Sequence, residues 1–203
     1  MRVFEIVDGV LYSYIGDEKT VTIPDGVIEI ASRSFYLCSG IEKVVIPDSV
    51  EWIGEQAFYG CVSLVSVKFG GRIRHIGTDA FRGCISLKKA ILPEGINTIS
   101  ESAFEGCASI EKVCIPDSVT RIGAWAFHEC VNLKNVTIPK NVNAIRCGVF
   151  SGCIALRKVV IDEGVAEMCS RAFENCINLK AISIPVSMTR VHEFAFLGCP
   201  CRE

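Results

Sequence analysis

Phenylalanine and cysteine recur in this chain at a fixed interval of 23 residues, and this period constrains the fold more than any other feature. The phenylalanine column consists of Phe35, Phe58, Phe81, Phe104, Phe127, Phe150, Phe173 and Phe196. The cysteine column consists of Cys38, Cys61, Cys84, Cys107, Cys130, Cys153, Cys176 and Cys199. Such a period is typical of solenoids, in which each unit buries its apolar face only by stacking on its neighbours. From Thr20, the chain divides into eight units of 23 residues that end at 203.

Each unit is predicted to contain a short strand that ends at a proline or glycine. Around Val67 and Phe69 the apolar and polar residues alternate, so these two side chains are expected to point inward and Ser66 and Lys68 outward. After the strand, a turn leads to further inward residues. The same pattern in the other units predicts one such strand in each unit.

The segment GEQAFYGC at 54–61 is predicted to form about one helical turn that places Phe58 and Cys61 in the core. Gly54 and Gly60 are expected at bends that a β-carbon would obstruct.

These units resemble the BspA-like, or Treponema-type, leucine-rich repeats, which read roughly L-x-x-I-x-I-P-x-x-V-x-x-I-G-x-x-A-F-x-x-C. The resemblance covers residues 20–203. It implies an α/β fold, a right-handed leucine-rich-repeat solenoid with a curved parallel sheet on the concave side and short helical turns and loops on the convex side. It also implies protein binding, often adhesion at cell surfaces. Arg146-Cys147-Gly148, Gly70 and Asp162 depart from the pattern locally.

Residues 1–19 precede the repeats and are predicted to form a capping β-hairpin. Two alternating runs flank Asp8-Gly9, a strong hairpin signal, and a second turn is expected at Gly16-Asp17. The hairpin is expected to shield the apolar end of the first unit, while 20–203 forms one continuous domain.

The regular spacing of the cysteine column argues against disulfides and zinc sites, which use clustered spacings, and favours a ladder of buried thiols. Four cysteines lie outside this register: Cys114, Cys147, Cys169 and Cys201. Cys114 is predicted to face outward from a strand, but a nucleophilic role would need a base beside it, and the three histidines are expected elsewhere. The Cys199-Pro200-Cys201 sequence is only a weak metal or redox signal.

The composition excludes several classes of function. The net charge of −2 lacks the basic excess of a nucleic-acid-binding protein, and no apolar run is long enough for membrane insertion. The N-terminus lacks the apolar core of a secretory signal, so the chain as written reads as cytoplasmic, although similar family members are often secreted or on the cell surface. One carboxylate per unit, as at Asp25 and Asp48, is too few for a calcium stack, and no cofactor is expected.

The outward strand positions form the candidate binding site for a protein partner. They carry a lysine-rich stripe and a second stripe with aliphatic side chains. The candidate residues are Lys43, Val45, Lys68, Lys89, Ile91, Lys112, Cys114, Lys158 and Val160. One interpretation is a solvated face whose lysines are offset by the carboxylate column; the other is a docking surface for an acidic, extended partner. Aliphatic residues among lysines suit a protein better than a nucleic acid, which favours aromatic stacking.

Two further features are candidates for contacts. Trp125 and Phe194 are large aromatic residues at a variable position, either binding a partner or covering a neighbouring unit. In the last unit, a strand at 181–184 and an apolar end are expected to support self-association, most simply as a two-fold homodimer, unless further repeats cover this end. The residues predicted for this contact are Ile182, Ile184, Met188 and Phe196.

The sequence therefore predicts a non-catalytic protein-binding scaffold. The alternative is a structural or self-associating segment of a larger surface array. A third interpretation is an enzyme that uses an off-register cysteine.

Overall fold

The computed structural model describes residues 3–180 and 182–202. The chain begins with a hairpin of strands β1 (Val3–Val7) and β2 (Val10–Ile15), which pair antiparallel with an irregularity between Glu5 and Ile6. At the turn, Asp8 and Gly9 have φ angles of 49° and 79°. Positive φ at both central residues matches the right-handed twist of hairpin strands, which explains why this Asp-Gly pair forms the turn.

Each solenoid unit except the last contributes a strand of three or four residues, and we call the set the long-strand column. These strands are β3 (Thr20–Thr22), β5 (Lys43–Val45), β7 (Ser66–Lys68), β9 (Lys89–Ile91), β11 (Lys112–Cys114), β13 (Asn135–Ile138) and β15 (Lys158–Ile161). They pair in parallel as two sheets, β3-β5-β7 and β9-β11-β13-β15. The sheet is interrupted next to Phe69-Gly70-Gly71, where the usual proline is missing.

A second parallel column lies beside it, which we call the short-strand column. Its members are β4 (Glu29–Ile30), β6 (Trp52–Ile53), β8 (His75–Ile76), β10 (Thr98–Ile99), β12 (Arg121–Ile122), β14 (Ala144–Ile145), β16 (Glu167–Met168) and β17 (Arg190–Val191). Strands β1, β2, β4, β6, β8, β10 and β12 form one sheet, and β14, β16 and β17 form another. The resemblance implied a sheet on the concave side alone, and the sequence did not predict this second column, because two residues are too few to show alternation.

The helical turn predicted at 54–61 is not found, and the solenoid is a β-solenoid of eight turns at this spacing. Gln56 and Gly60 have φ angles of 55° and 67°, which an α-helix cannot contain. The backbone here bonds the next unit: Phe58 N donates to Ala80 O at 2.7 Å. Within the described residues, the helical element is a 3₁₀ helix at Pro200–Arg202, so the α/β description with helical turns is not confirmed.

The core is a ladder of stacked rings and thiols. The phenylalanine rings lie 4.8 to 5.7 Å apart between centroids and within 12° of parallel, which is a favourable stacking arrangement. From Cys61 to Cys199, each ladder thiol donates to the carbonyl oxygen of the phenylalanine in the preceding unit, at 2.7 to 3.3 Å. These cysteines are buried, as predicted, while Cys38 is half-buried.

The hairpin lies against the first unit of this core. Strand β2 pairs in parallel with β4, Leu11 is fully buried, and the ring of Tyr14 stacks on Phe35 at 5.1 Å. These contacts cover one end of the phenylalanine ladder. The division into a cap at 1–19 and a single domain at 20–203 stays a prediction.

The last unit differs from the others. The strand predicted at 181–184 is not formed at 182–184, and Ala181 lies outside the described residues. Among its described residues, the unit contributes one strand, β17, whose residues Arg190 and Val191 are exposed. The reason is visible in the burial pattern: Ile184 and Val186 have no following unit to pack against in the described chain.

Candidate protein-binding face

Alternation along the long strands separates core residues from candidate contact residues. Ala90 and Val113 are buried to 0% and 5% exposure, whereas the flanking Lys89 and Lys112 are exposed. Lys43, Lys68 and Lys158 are exposed in the same way. The strand period of two therefore places all five predicted lysines on the outside.

The strand register then sets which candidates are neighbours. Lys89 lies opposite Lys112, and Ile91 lies opposite Cys114. Across β13, Lys158 and Val160 follow at the same two positions. Ile91 is 61% exposed and Val160 37%, while Cys114 is half-buried.

The interruption between β7 and β9 divides the predicted set. Lys43, Val45 and Lys68 lie on the sheet β3-β5-β7, where Lys68 pairs with Val45 rather than with Lys43. On the sheet of β9, β11, β13 and β15, Lys89, Lys112 and Lys158 share one register position, which Asn135 occupies on β13. The predicted residues of that part are Lys89, Ile91, Lys112, Cys114, Lys158 and Val160.

Sequence reasoning missed a second basic column, at the repeat position that directly precedes the long strands. Its basic members are Lys88, Lys134, Arg157 and Lys180, all exposed. They recur in the same 23-residue period, so this signal was available in the sequence. We call these four residues, together with the six predicted residues on β9 to β15, the lysine face.

The lysine face carries little compensating negative charge. Glu111 lies among its lysines and pairs with Lys134 at 2.7 Å; the Lys134 ammonium, with Lys88 and Lys89 nearby, holds the pKa of this carboxyl below its usual value. Within the described chain, no carboxylate oxygen lies within 4.0 Å of the ammonium nitrogen of Lys89, Lys112 or Lys158. Beside them lies a depression of about 490 Å³, lined by residues that include Lys89, Lys112 and Thr137.

Three members of the carboxylate column contact groups outside the lysine face. Asp48 accepts a hydrogen bond from Gly71 N at 2.8 Å, and Asp117 pairs with Lys140 at 3.4 Å. Glu163 accepts from the backbone nitrogens of Val186 and Ser187. Turn backbone competes for these carboxylates because they directly follow the strands.

The three histidines lie away from Cys114. His75 lies on β8, where Ser100 Oγ is 3.3 Å from its Nε2, and burial together with Arg121 lowers its pKa. His128 bonds Ser151 O in the turn segment, and His192 follows β17. None of the three histidines is therefore placed to act as the base that a nucleophilic Cys114 would need beside it.

The other candidates occupy different surroundings. The ring of Trp125 lies over Gly148, where it leaves no room for a β-carbon, so Trp125 covers the neighbouring unit. Phe194 is 47% exposed. Of the predicted self-association residues, Ile184 is exposed, Ile182 and Phe196 are half-buried and pack on the core, and Met188 is buried.

Across residues 3–180 and 182–202, no group of three or more His, Cys, Asp or Glu side chains is arranged to hold a metal ion. In the same residues, no helix has the length and apolar character of a membrane span.

Comparisons with known proteins concern the repeat family and the fold. A family profile described as a BspA type leucine rich repeat region matches residues 6–134 and 120–202, in six copies. The crystal structure of a Treponema pallidum leucine-rich repeat protein is similar at a TM-score of 0.81 and 29% identity, covering 88% of this chain and 87% of that chain. A leucine rich cell surface protein from Faecalibacterium prausnitzii has 22% identity and a TM-score of 0.46, covering 98% and 90%. No curated protein sequence matches the chain.

Proposed function

Because the chain belongs to the BspA-type leucine-rich repeat family, we propose that it is a non-catalytic scaffold whose lysine face binds an acidic, extended segment of a partner protein. The observation that carries this proposal is that Lys89, Lys112 and Lys158 share one register position and have no ion-pair partner in the described chain. Lys89 and Lys112 lie directly opposite each other, an arrangement that disfavours the sheet on its own. An acidic partner would remove this repulsion and gain from electrostatic complementarity.

The aliphatic side chains favour a protein over a nucleic acid as the occupant. Ile91 and Val160 present apolar surface between the lysines. Single-stranded nucleic acids are bound on aromatic platforms, whereas the outward residues named on this face include none. We propose that this binding serves adhesion at a cell surface, and membership of the family supports this proposal.

Charge reversal tests the face. We expect Lys89→Glu with Lys112→Glu to weaken binding of a fluorescent peptide of alternating Glu and Val by about tenfold or more, and to flatten its salt dependence. Fluorescence anisotropy at several salt concentrations measures both.

The matched control is Arg74→Glu with Arg121→Glu, which changes the net charge equally but lies on exposed positions by the short-strand column. Its binding should stay near that of the parent chain. Equal losses in both double variants would contradict a specific lysine face, as would tighter binding to a DNA duplex than to the acidic peptide.

Self-association is a second candidate function, favoured by the exposed apolar residues of the last unit. Ile184 is 42% exposed and Val186 93%. Strand β17 pairs only with β16 in the described chain, and two copies of such an edge are self-complementary about a two-fold axis. We therefore propose a second copy of this chain as the occupant.

Light scattering coupled to size-exclusion chromatography measures whether the chain forms the proposed dimer. The parent chain should elute as a dimer at tens of micromolar, and Ile184→Lys with Val186→Lys should convert it to a monomer. Lys43→Glu, on an exposed and distant strand, should leave the dimer intact. A parent chain that elutes as a monomer at this concentration would contradict the proposed dimer.

A further inference from the structure

Two off-register cysteines, Cys147 and Cys169, have no part in the core ladder or in the lysine face. Cys147 is exposed and Cys169 is half-buried. Both line an open depression of about 660 Å³, together with residues that include Ser170 and His192. Both thiols are therefore reachable from the same pocket.

The strand register brings the two cysteines to neighbouring positions. Ile145 lies opposite Met168 in the pair β14–β16, so the following residues, Arg146 and Cys169, are also opposite. Cys169 N donates to Ile145 O at 2.9 Å, which keeps the two units together at this point. Cys147 is one residue further along. Spacings of about 4.8 Å between strands and about 3.3 Å along a strand give a Cα separation of roughly 6 Å. Disulfides span this distance.

The direction of the side chain at this position follows from the glycines of earlier units. Cys169 occupies the column of Gly54, Gly77 and Gly123. A β-carbon on Gly77 would lie 2.7 Å from the carbonyl carbon of Gly54 and 2.8 Å from Glu55 N. A side chain in this column thus projects toward the corresponding peptide of the preceding unit. For Cys169, this is the peptide that joins Arg146 to Cys147.

The electrostatics of the pair agree with the geometry. Burial raises the pKa of the Cys169 thiol, and the neighbouring Cys147 thiol raises it further, while Arg146 acts in the opposite direction. The exposed Cys147 is therefore the better placed of the two to react first with an external reagent.

We propose that Cys147 and Cys169 form a dithiol site that reacts with small-molecule disulfides and closes into an intramolecular disulfide between units six and seven. The Cys147 thiolate attacks one sulfur of glutathione disulfide, forming a mixed disulfide and releasing one glutathione thiolate. Cys169 then loses its proton to water and attacks the Cys147 sulfur, and a second glutathione thiolate leaves. Two protein thiols are oxidised and one glutathione disulfide is reduced to two glutathiones.

The test is oxidation of the reduced full-length chain by glutathione disulfide, followed by alkylation of the remaining thiols, digestion and mass spectrometry. We expect a peptide pair linked through Cys147 and Cys169, with the ladder thiols alkylated only after denaturation. In Cys169→Ser, the reaction should stop at glutathione bound to Cys147. Cys114→Ser serves as the control and should form the same disulfide as the parent chain.

Three results would overturn the proposal. One is a parent chain in which Cys147 keeps glutathione as stably as it does in Cys169→Ser. Another is a first disulfide that links other cysteines, such as Cys199 and Cys201. The third is a disulfide-linked dimer through Cys147 on a non-reducing gel. Circular dichroism of each variant shows whether it is folded, so that loss of structure is recognised.

Discussion

The interior ladder and the lysine face follow the same 23-residue period, but they use it differently. In the ladder, every unit repeats the same residue: Phe81, Phe104 and Phe127 stack ring on ring, and each is fully buried. On the face, the residue changes from unit to unit, as in the series Lys112, Asn135, Lys158. An interior position has a neighbour above and below that accepts only one shape, whereas an outward position meets solvent.

This difference separates stability from binding. Removing an interior side chain leaves a gap against two neighbouring units, because each unit in a solenoid is stabilised by its contacts with the next. Replacing an outward side chain removes no core contact. Substitutions inside should therefore change stability, and substitutions outside should change binding.

Phe104→Ala is expected to have the largest effect on stability. The ring stacks on Phe81 and Phe127 in the middle of the ladder, and its loss should lower the free energy of unfolding by about 3–5 kcal/mol. Chemical denaturation followed by circular dichroism measures the change. Phe194→Ala removes an exposed phenylalanine of the last unit. An equal loss in its free energy of unfolding would contradict the distinction between interior and exterior.

Cys107→Ala and Cys114→Ala form a smaller, matched pair. Cys107 is fully buried and donates to Phe81 O at 3.1 Å, so deleting its sulfur should cost about 0.5–1.5 kcal/mol, as other single-atom deletions in cores do. Cys114 is half-buried on the strand face, and its replacement should stay within about 0.5 kcal/mol of the parent chain. The same denaturation measurement compares them, and equal costs would argue against the distinction between inside and outside.

Much of the fold could be predicted because the interior columns are read directly from the sequence. The 23-residue spacing of the phenylalanine and cysteine columns, which contain Phe58 and Cys61, predicts the number of units. The alternation of apolar and polar residues around Val44 predicts the long strands. The turn segment could not be predicted in this way. From the first unit to the seventh, residues at the position of Gln56 adopt left-handed backbone conformation with φ between 53° and 63°, although they include Arg33 and Trp125, which carry no signal for it. The bonds between units that hold this conformation belong to the assembled solenoid.

The candidate site was predictable only in part. The outward positions of Lys89 and Lys112 follow from alternation, and the structure places them as expected. The interruption between β7 and β9, which separates Lys68 from Lys89, depends on how two units pack and is not visible in either unit alone. The proximity of Cys147 to Cys169 likewise requires the register between units six and seven.

The reactivity of the twelve cysteines is the most direct measurement, because the same chemical group occurs both in the buried ladder and on the surface. Burial raises the pKa of Cys107 and Cys130 well above the usual value and also blocks access to them. Native labelling with a thiol reagent, read by mass spectrometry over time, should modify Cys147 first and leave Cys107 and Cys130 unmodified until the chain unfolds. Labelling of Cys107 at the rate of Cys147 would contradict the separation of a fixed interior from a variable, binding exterior.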